Sequence, residues 1–170
     1  QANADTPETQ TARRSMIEKV RREGINPAIE AVLPKLFSDA NQNNSDMKQY
    51  LIDGAQNAGV AGICWALEAM KLRPDRTSVL RTLPVPAAVI HGAEDKIVPA
   101  ERARQMSELI PDSKYFELAC GHVSPVEAPN DVANALLDLL QRCAISEQSK
   151  VGKRSTKESG IIIAPSEFGL

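Results

Sequence analysis

The chain has few of the residues that announce a specialised chemistry. Its 170 residues include two histidines, three cysteines and nine glycines. Two histidines and scattered cysteines offer no metal-ligand spacing. Cys64, Cys120 and Cys143 are odd in number and widely separated, which fits reduced thiols in a cytoplasmic protein rather than a disulfide framework. The glycines are dispersed, with neither a dinucleotide fingerprint nor a phosphate-cradling loop. No apolar run approaches the ~20 residues that span a bilayer. Gln1 opens the sequence without an initiator Met and without a charged-then-apolar leader, so no signal peptide is visible, and a product processed or cut from something longer is expected. Twenty Lys and Arg against 22 Asp and Glu leave a net charge of -2, which gives the whole chain no basic footprint for nucleic acid. What is present is ordinary. Hydrophobic residues make up 42% and charged residues 25%, values that exclude a disordered, collagen-like or disulfide-scaffold chain. The length suits one domain.

The first part reads as helices. Asp5-Thr6-Pro7-Glu8 is a start signal with Asp5 as N-cap. Ala12, Met16, Ile17 and Val20 recur at helical spacing, and Gly24 is placed to end the helix. Asn26-Pro27 opens a shorter helix that Pro34 interrupts. Residues 39–45 form a loop ending in a Ser45 cap. Met47, Tyr50, Leu51, Ala55 and Ala58 make one helical face, and Val60, Ile63, Cys64, Leu67 and Met70 another. No strand-like run occurs between residues 5 and 72.

The pattern changes after Arg73-Pro74-Asp75-Arg76. Residues 86–91 are a short apolar run bounded by Pro and Gly, as in a buried parallel strand. A helix is predicted from Pro99 to Ile110, a second strand from Ser113 to Leu118, and an amphipathic helix from Pro129 through Leu140. This is a βαβα unit with an expected right-handed crossover. Residues 144–170 place Lys150, Lys153, Arg154 and Lys157 among Ser, Gly and Thr, the composition of a flexible basic tail or, alternatively, a docking segment.

Candidate chemistry lies at the strand ends. Parallel strands bring the loop from His91 to Pro99 and the loop from Ala119 to Pro129 to one carboxyl edge, where open α/β sheets place their sites. Asp95 and His122 are the candidate site residues, since a buried Asp can fix the tautomer of an imidazole and orient its other nitrogen to take a proton. An Asp after a strand is often only a helix N-cap, and a Gly-His pair only a turn. The ordered pair on consecutive strand ends outweighs either reading. Glu94 is a rival acid, otherwise a solvated surface charge. His91, inside the strand, fits a packed or backbone-bonded histidine, and Ser124 fits a turn hydroxyl. Gly62-Ile63-Cys64-Trp65-Ala66 resembles a nucleophile turn, but no buried strand precedes it, and Cys64 fits an apolar helix face as a buried thiol. Trp65, Met70, Met47 and Tyr50 could line an acyl pocket, although helical packing explains them as well.

Val85-Pro86-Ala87-Ala88-Val89-Ile90-His91-Gly92-Ala93-Glu94-Asp95-Lys96-Ile97-Val98-Pro99, together with Ala119-Cys120-Gly121-His122-Val123-Ser124-Pro125-Val126-Glu127-Ala128-Pro129, resembles the C-terminal half of an α/β-hydrolase-fold protein of the esterase, lactonase and haloperoxidase-like type. The resemblance runs over residues 5–142. It implies an α/β fold with a helical cap over 5–72 and a C-terminal βαβα core segment over 73–143, which the compositional tail over 144–170 follows. Ala69-Met70-Lys71-Leu72-Arg73-Pro74-Asp75 resembles the return from the cap. The triad acid then falls on Asp95 and the triad histidine on His122.

One departure matters as much as the match. The family presents its nucleophile on a Gly-x-Ser-x-Gly elbow before the acid, and that pentapeptide does not occur here. The implied activity is hydrolysis of a small carboxylic ester or lactone, with no cofactor. Perhydrolase or carbon–carbon-bond hydrolase chemistry would use the same machinery. The nucleophile would come from outside these residues, so the chain is expected to be inactive unless completed by a missing N-terminal half. The alternative is a non-catalytic binding or regulatory remnant. Neither nucleic acid nor membrane is an expected partner. The strand over 86–91 is apolar on both faces but has one predicted neighbour, so self-association through an exposed sheet edge is expected.

Overall fold

The computed structural model describes residues 2–158, the side chains of 146–158 excepted. Helix α1 spans Pro7–Glu23, α2 Asn26–Val32, and a 3-10 turn Leu33–Lys35; α3 then runs over Ser45–Lys71. A short α4 (Thr77–Leu80) leads into strand β1 (Ala87–Gly92), α5 (Ala100–Leu109), strand β2 (Ser113–Leu118), a single turn α6 (Ser124–Glu127) and α7 (Pro129–Glu158). The helices before β1 and the alternation after it follow the expected order.

Helices α2 and α7 start at the expected Asn26 and Pro129, whereas the caps of α1 and α3 are each displaced by one residue. Thr6, not Asp5, caps α1: its hydroxyl accepts from the Thr9 amide at 3.3 Å, with Pro7 in the first turn. Asp5 is instead committed to two guanidinium groups. Its nearly buried carboxylate pairs with Arg13 and, at 3.0 Å, with Arg73. Charge-assisted bonds of this kind outweigh a cap. The Arg13 hydrogen bond is the largest influence holding the Asp5 carboxyl below its ordinary value, against the opposing effect of burial. Arg73 Nε also donates to the Asn3 carbonyl at 3.2 Å, and the Arg76 amide to that of Ala2 at 2.8 Å. Asn44, not Ser45, caps α3, accepting from the amides of Asp46 and Met47, each at 3.1 Å. At the end of α1, Gly24 adopts φ 81°, a left-handed conformation in which a side chain would be strained. The two faces expected around residues 47–58 and 60–70 lie on one helix, α3, broken by a kink at Gly59 (φ 63°, ψ -175°).

Two apolar clusters form. In the first, α1 and α3 enclose Ile17, Val20 and Cys64, with Met16, Ile63 and Leu67 packed against them. In the second, Val89 of β1, Ala103 of α5 and Ile110 are buried, with Leu83, Met106 and Tyr115 around them. β1 and β2 pair in parallel, in register from Ala87 opposite Ser113 to Gly92 opposite Leu118. Among the described residues the sheet has these two strands. Arg142 of α7 ties the start of both strands together, donating to the carbonyls of Ala87 (3.0 Å) and Asp112 (2.9 Å) and pairing with the Asp112 carboxylate. Ala135 is buried on α7, whereas Leu136, Leu137 and Leu140 are 46%, 55% and 64% exposed.

α7 continues past the expected boundary at 143, through Glu158. No Gly or Pro interrupts the sequence between Pro129 and Gly152, so nothing local stops the helix. The remainder of the expected tail, 159–170, lies outside the described residues, as do the side chains of Lys150, Lys153, Arg154 and Lys157. Among the described residues no helix is long and apolar enough to cross a membrane.

Candidate active site

The loops after β1 and β2 meet at the carboxyl edge and are bonded to each other. The Ala93 amide donates to the Leu118 carbonyl (2.8 Å) and the Glu94 amide to that of Cys120 (3.0 Å). Gly92 makes this approach possible: a Cβ there would lie 2.0 Å from the Gly121 carbonyl oxygen. The β1 loop then turns around Asp95. Its Oδ1 accepts from the amides of Ile97 (2.7 Å) and Val98 (2.9 Å), the local turn that an Asp in this position favours. Its Oδ2 lies 2.8 Å from His122 Nδ1.

A carboxylate only accepts, so His122 Nδ1 carries the proton and donates it. In the neutral ring the other nitrogen, Nε2, carries the lone pair, and His122 borders two cavities. The Asp95 side chain is 5% exposed and that of His122 36%. Burial alone would raise the Asp95 pKa; the Val98 amide, the His122 bond and the Ile97 amide outweigh it, and the carboxyl is held below its ordinary value. Asp95 is therefore ionised at neutral pH.

Two cavities meet at His122. One, of about 580 Å³, lies between the helices of the first half, with Met16, Ala28, Val32, Ile63, Leu67 and Met70 among its walls. The other, of about 190 Å³, lies beside β1 and includes Ile90, Asp95, Met106 and Ser124. Of the four residues considered for an acyl pocket, Met70 lines the larger cavity. Trp65 and Tyr50 are 75% and 68% exposed, and Trp65 lies with Cys64 at a separate surface recess.

The rival residues have other engagements. Glu94 accepts from the Asp39 amide at 2.8 Å and is not bonded to His122. His91 is buried; its Nε2 donates to the Val98 carbonyl at 2.8 Å and lies 3.7 Å from Asp95 Oδ2. It is a backbone-bonded histidine, as expected, and it supports the turn that holds Asp95. Cys64 packs against α1 with its Sγ 3.9 Å from the Ile17 carbonyl. Cys120 is fully buried, and burial first, then the neighbouring carboxylates of Glu127, Asp131, Asp95 and Glu94, push its thiol up.

Sequence reasoning passed over Glu127 and the segment Leu36–Phe37–Ser38. Phe37 and Ser38 are 0% and 2% exposed. The Leu36 carbonyl accepts from the amides of His122 (2.8 Å) and Val123 (3.3 Å), so the helical half touches the backbone of the histidine loop itself. A single buried serine in a stretch between helices carries no periodic signal. Glu127, ahead of Pro129, reads as an ordinary acidic residue near a helix start.

No family model matches the chain. Among curated proteins it is 37% identical over 125 residues to a 2-hydroxy-6-oxo-6-(2'-aminophenyl)hexa-2,4-dienoic acid hydrolase of Metapseudomonas resinovorans, covering 72% of this chain and 43% of that protein. It is 26% identical over 128 residues to 3-oxoadipate enol-lactonase 2 of Acinetobacter baylyi, covering 72% of this chain and 46% of the other. Among solved structures, a thermophilic esterase from Thermogutta terrifontis superposes with a TM-score of 0.79 at 31% identity, over 84% of this chain and 53% of the esterase. The enol-lactonase of Burkholderia xenovorans LB400 gives a TM-score of 0.71 at 26% identity, over 82% and 53%. The chain thus spans about half the length of the relatives it matches. It belongs to the α/β-hydrolase-fold superfamily and corresponds to the C-terminal part of that fold.

Proposed function

We propose that the chain is the C-terminal part of a cytoplasmic serine-type hydrolase acting on a small carboxylic ester or lactone. The observation that carries this reading is the His122 Nδ1–Asp95 Oδ2 bond of 2.8 Å, made by an imidazole that borders both cavities. Relatives named as an esterase, an enol-lactonase and a dienoic acid hydrolase support it. In this reading a serine hydroxyl outside these 170 residues gives its proton to His122 Nε2 as its oxygen attacks the acyl carbon. The imidazolium is stabilised by ionised Asp95, and the same proton then passes to the leaving alcohol. The oxyanion donors likewise come from outside. Residues 5–72 form the cap, and the larger apolar cavity takes the acyl or ring portion of the substrate.

The test is release of chromophore from a short-chain chromogenic ester. The 170-residue chain alone is expected to give no turnover that depends on His122. Coexpression with a segment carrying a Gly-x-Ser-x-Gly elbow restores turnover, and His122→Ala removes it. Turnover by the chain alone that is lost in His122→Ala would overturn an external nucleophile, and Cys64→Ala would then be the next variant. A completed, folded assembly with no turnover would favour a non-catalytic module. The open side of β1 is also expected to drive self-association of the isolated chain, read by sedimentation velocity.

A further inference from the structure

Glu127 sits where the two halves of the molecule meet, and both of its carboxylate oxygens accept hydrogen bonds at that seam. Its Oε2 accepts from the Ser38 amide (2.9 Å), the Ser38 hydroxyl (2.6 Å) and the Asn41 side-chain amide (3.1 Å). Its Oε1 accepts from the Gly121 amide at 2.7 Å. Ser38 lies two residues from Leu36, whose carbonyl receives the His122 and Val123 amides. The bonds therefore close a ring: Glu127 to Gly121, along the backbone to His122, across to Leu36, along to Ser38, and back to Glu127. Nothing in the ring is slack. A Cβ on Gly121 would lie 2.6 Å from both the Phe37 carbonyl carbon and the Ser38 nitrogen, so the two backbones are in contact.

We propose that Glu127 is a positioning residue for His122: it latches the histidine loop to the helical half, so that the imidazole is presented to Asp95 in one orientation. The proposal deepens the hydrolase reading and takes from it the importance of His122. The chemistry calls for a carboxylate. One oxygen faces a backbone N–H on one side of the seam, and the other faces a backbone N–H on the opposite side. An amide in its place must turn its NH2 toward one of them, leaving that donor unpaired. Burial opposes ionisation of Glu127, but the donors on Ser38, Asn41 and Gly121 prevail, and its carboxyl is held below the ordinary value.

The experiment is nitrogen-15 and proton NMR of the imidazoles in the full 170-residue chain, which requires no turnover. The chain has two histidines, and His91, bonded to the Val98 carbonyl, is the internal reference. In wild type the His122 Nδ1 proton is expected at low field and in slow exchange with water. In folded Glu127→Gln its exchange should accelerate about tenfold, the effect of losing one hydrogen bond to a charged group. The Nδ1–H tautomer fraction should fall toward that of Asp95→Asn, and His91 should not change. A carboxylate that only docks the helices would lower the melting temperature and leave the His122 signals as they are; that outcome overturns the proposal. Should Glu127→Gln fail to fold, Ser38→Ala removes one donor and keeps the other three. A smaller change in the same direction supports the latch, and unchanged His122 signals refute it. Inactivity of a completed hydrolase would count against the function and leave these resonances untouched, so the two failures are separable.

Discussion

The helices α1 and α3 and the loops after β1 and β2 are held together by different means. Between the helices the contact is mainly apolar: Ile17, Val20 and Cys64 fill a shared volume, and the one directional contact among them is the weak one from Cys64 Sγ to the Ile17 carbonyl. At the strand ends the buried Phe37 and Cys120 are surrounded by polar contacts. Backbone amides, carbonyls and the carboxylates of Asp95, Glu94 and Glu127 make specific bonds, and Gly92 and Gly121 allow the backbone segments to touch. The first arrangement loses stability in proportion to volume removed. The second responds to geometry, where a single methyl group or proton matters. A cavity built from both kinds of wall can vary its helical side widely while its polar side stays fixed.

That contrast can be broken in order of expected effect. Gly92→Ala should be the most damaging, because its Cβ would be placed 2.0 Å from backbone rather than from a movable side chain. We expect loss of cooperative unfolding in urea; a folded variant with the His122 Nδ1 signal intact would show the seam to be looser than described. Ile17→Ala, at a 5% exposed position, should cost about 3 kcal/mol through the cavity it leaves, read from urea midpoints. The His122 signal should survive, and its loss would mean that the helical core also tunes the site.

The smallest effect is acid sensitivity. The carboxyls of Asp95 and Glu127 are held below their ordinary values in the folded chain. The unfolded chain therefore binds more protons on acidification, and the stability these groups contribute is present above the ordinary values near pH 4 and lost as pH falls through the lowered ones. Thermal melts between pH 6 and pH 3 should show the decline, and Asp95→Asn should flatten it. An unchanged slope would place the acid-sensitive group elsewhere.

Where the physics is local, the sequence was readable. Strand β2 lies at its expected residues, β1 and α5 are displaced by one residue at most ends, and parallel pairing follows from the short apolar runs separated by a helix. The pairing of Asp95 with His122 was legible because both residues stand at strand ends. The misses are tertiary. Asp5 and Thr6 are both competent caps, and Arg13 and Arg73 claim the aspartate from elsewhere in the chain. Nothing near Glu127 marks it as the partner of Ser38, 89 residues away. The exposure of Trp65 could not be read from helical spacing alone, since α3 kinks at Gly59 and its apolar residues do not form a single inward stripe.

β1 is bonded on one side by β2, and Ile90, His91 and Gly92 also line the smaller cavity. A strand joining that cavity side would meet a ruler graduated in steps of about 3.3 Å. A slip of one step would exceed the roughly 0.5 Å tolerance of a productive hydrogen bond and turn every side chain to the opposite face. In the hydrolase reading, activity is then decided by alignment before affinity: a partner can bind tightly one notch out of place and still leave His122 with nothing to deprotonate.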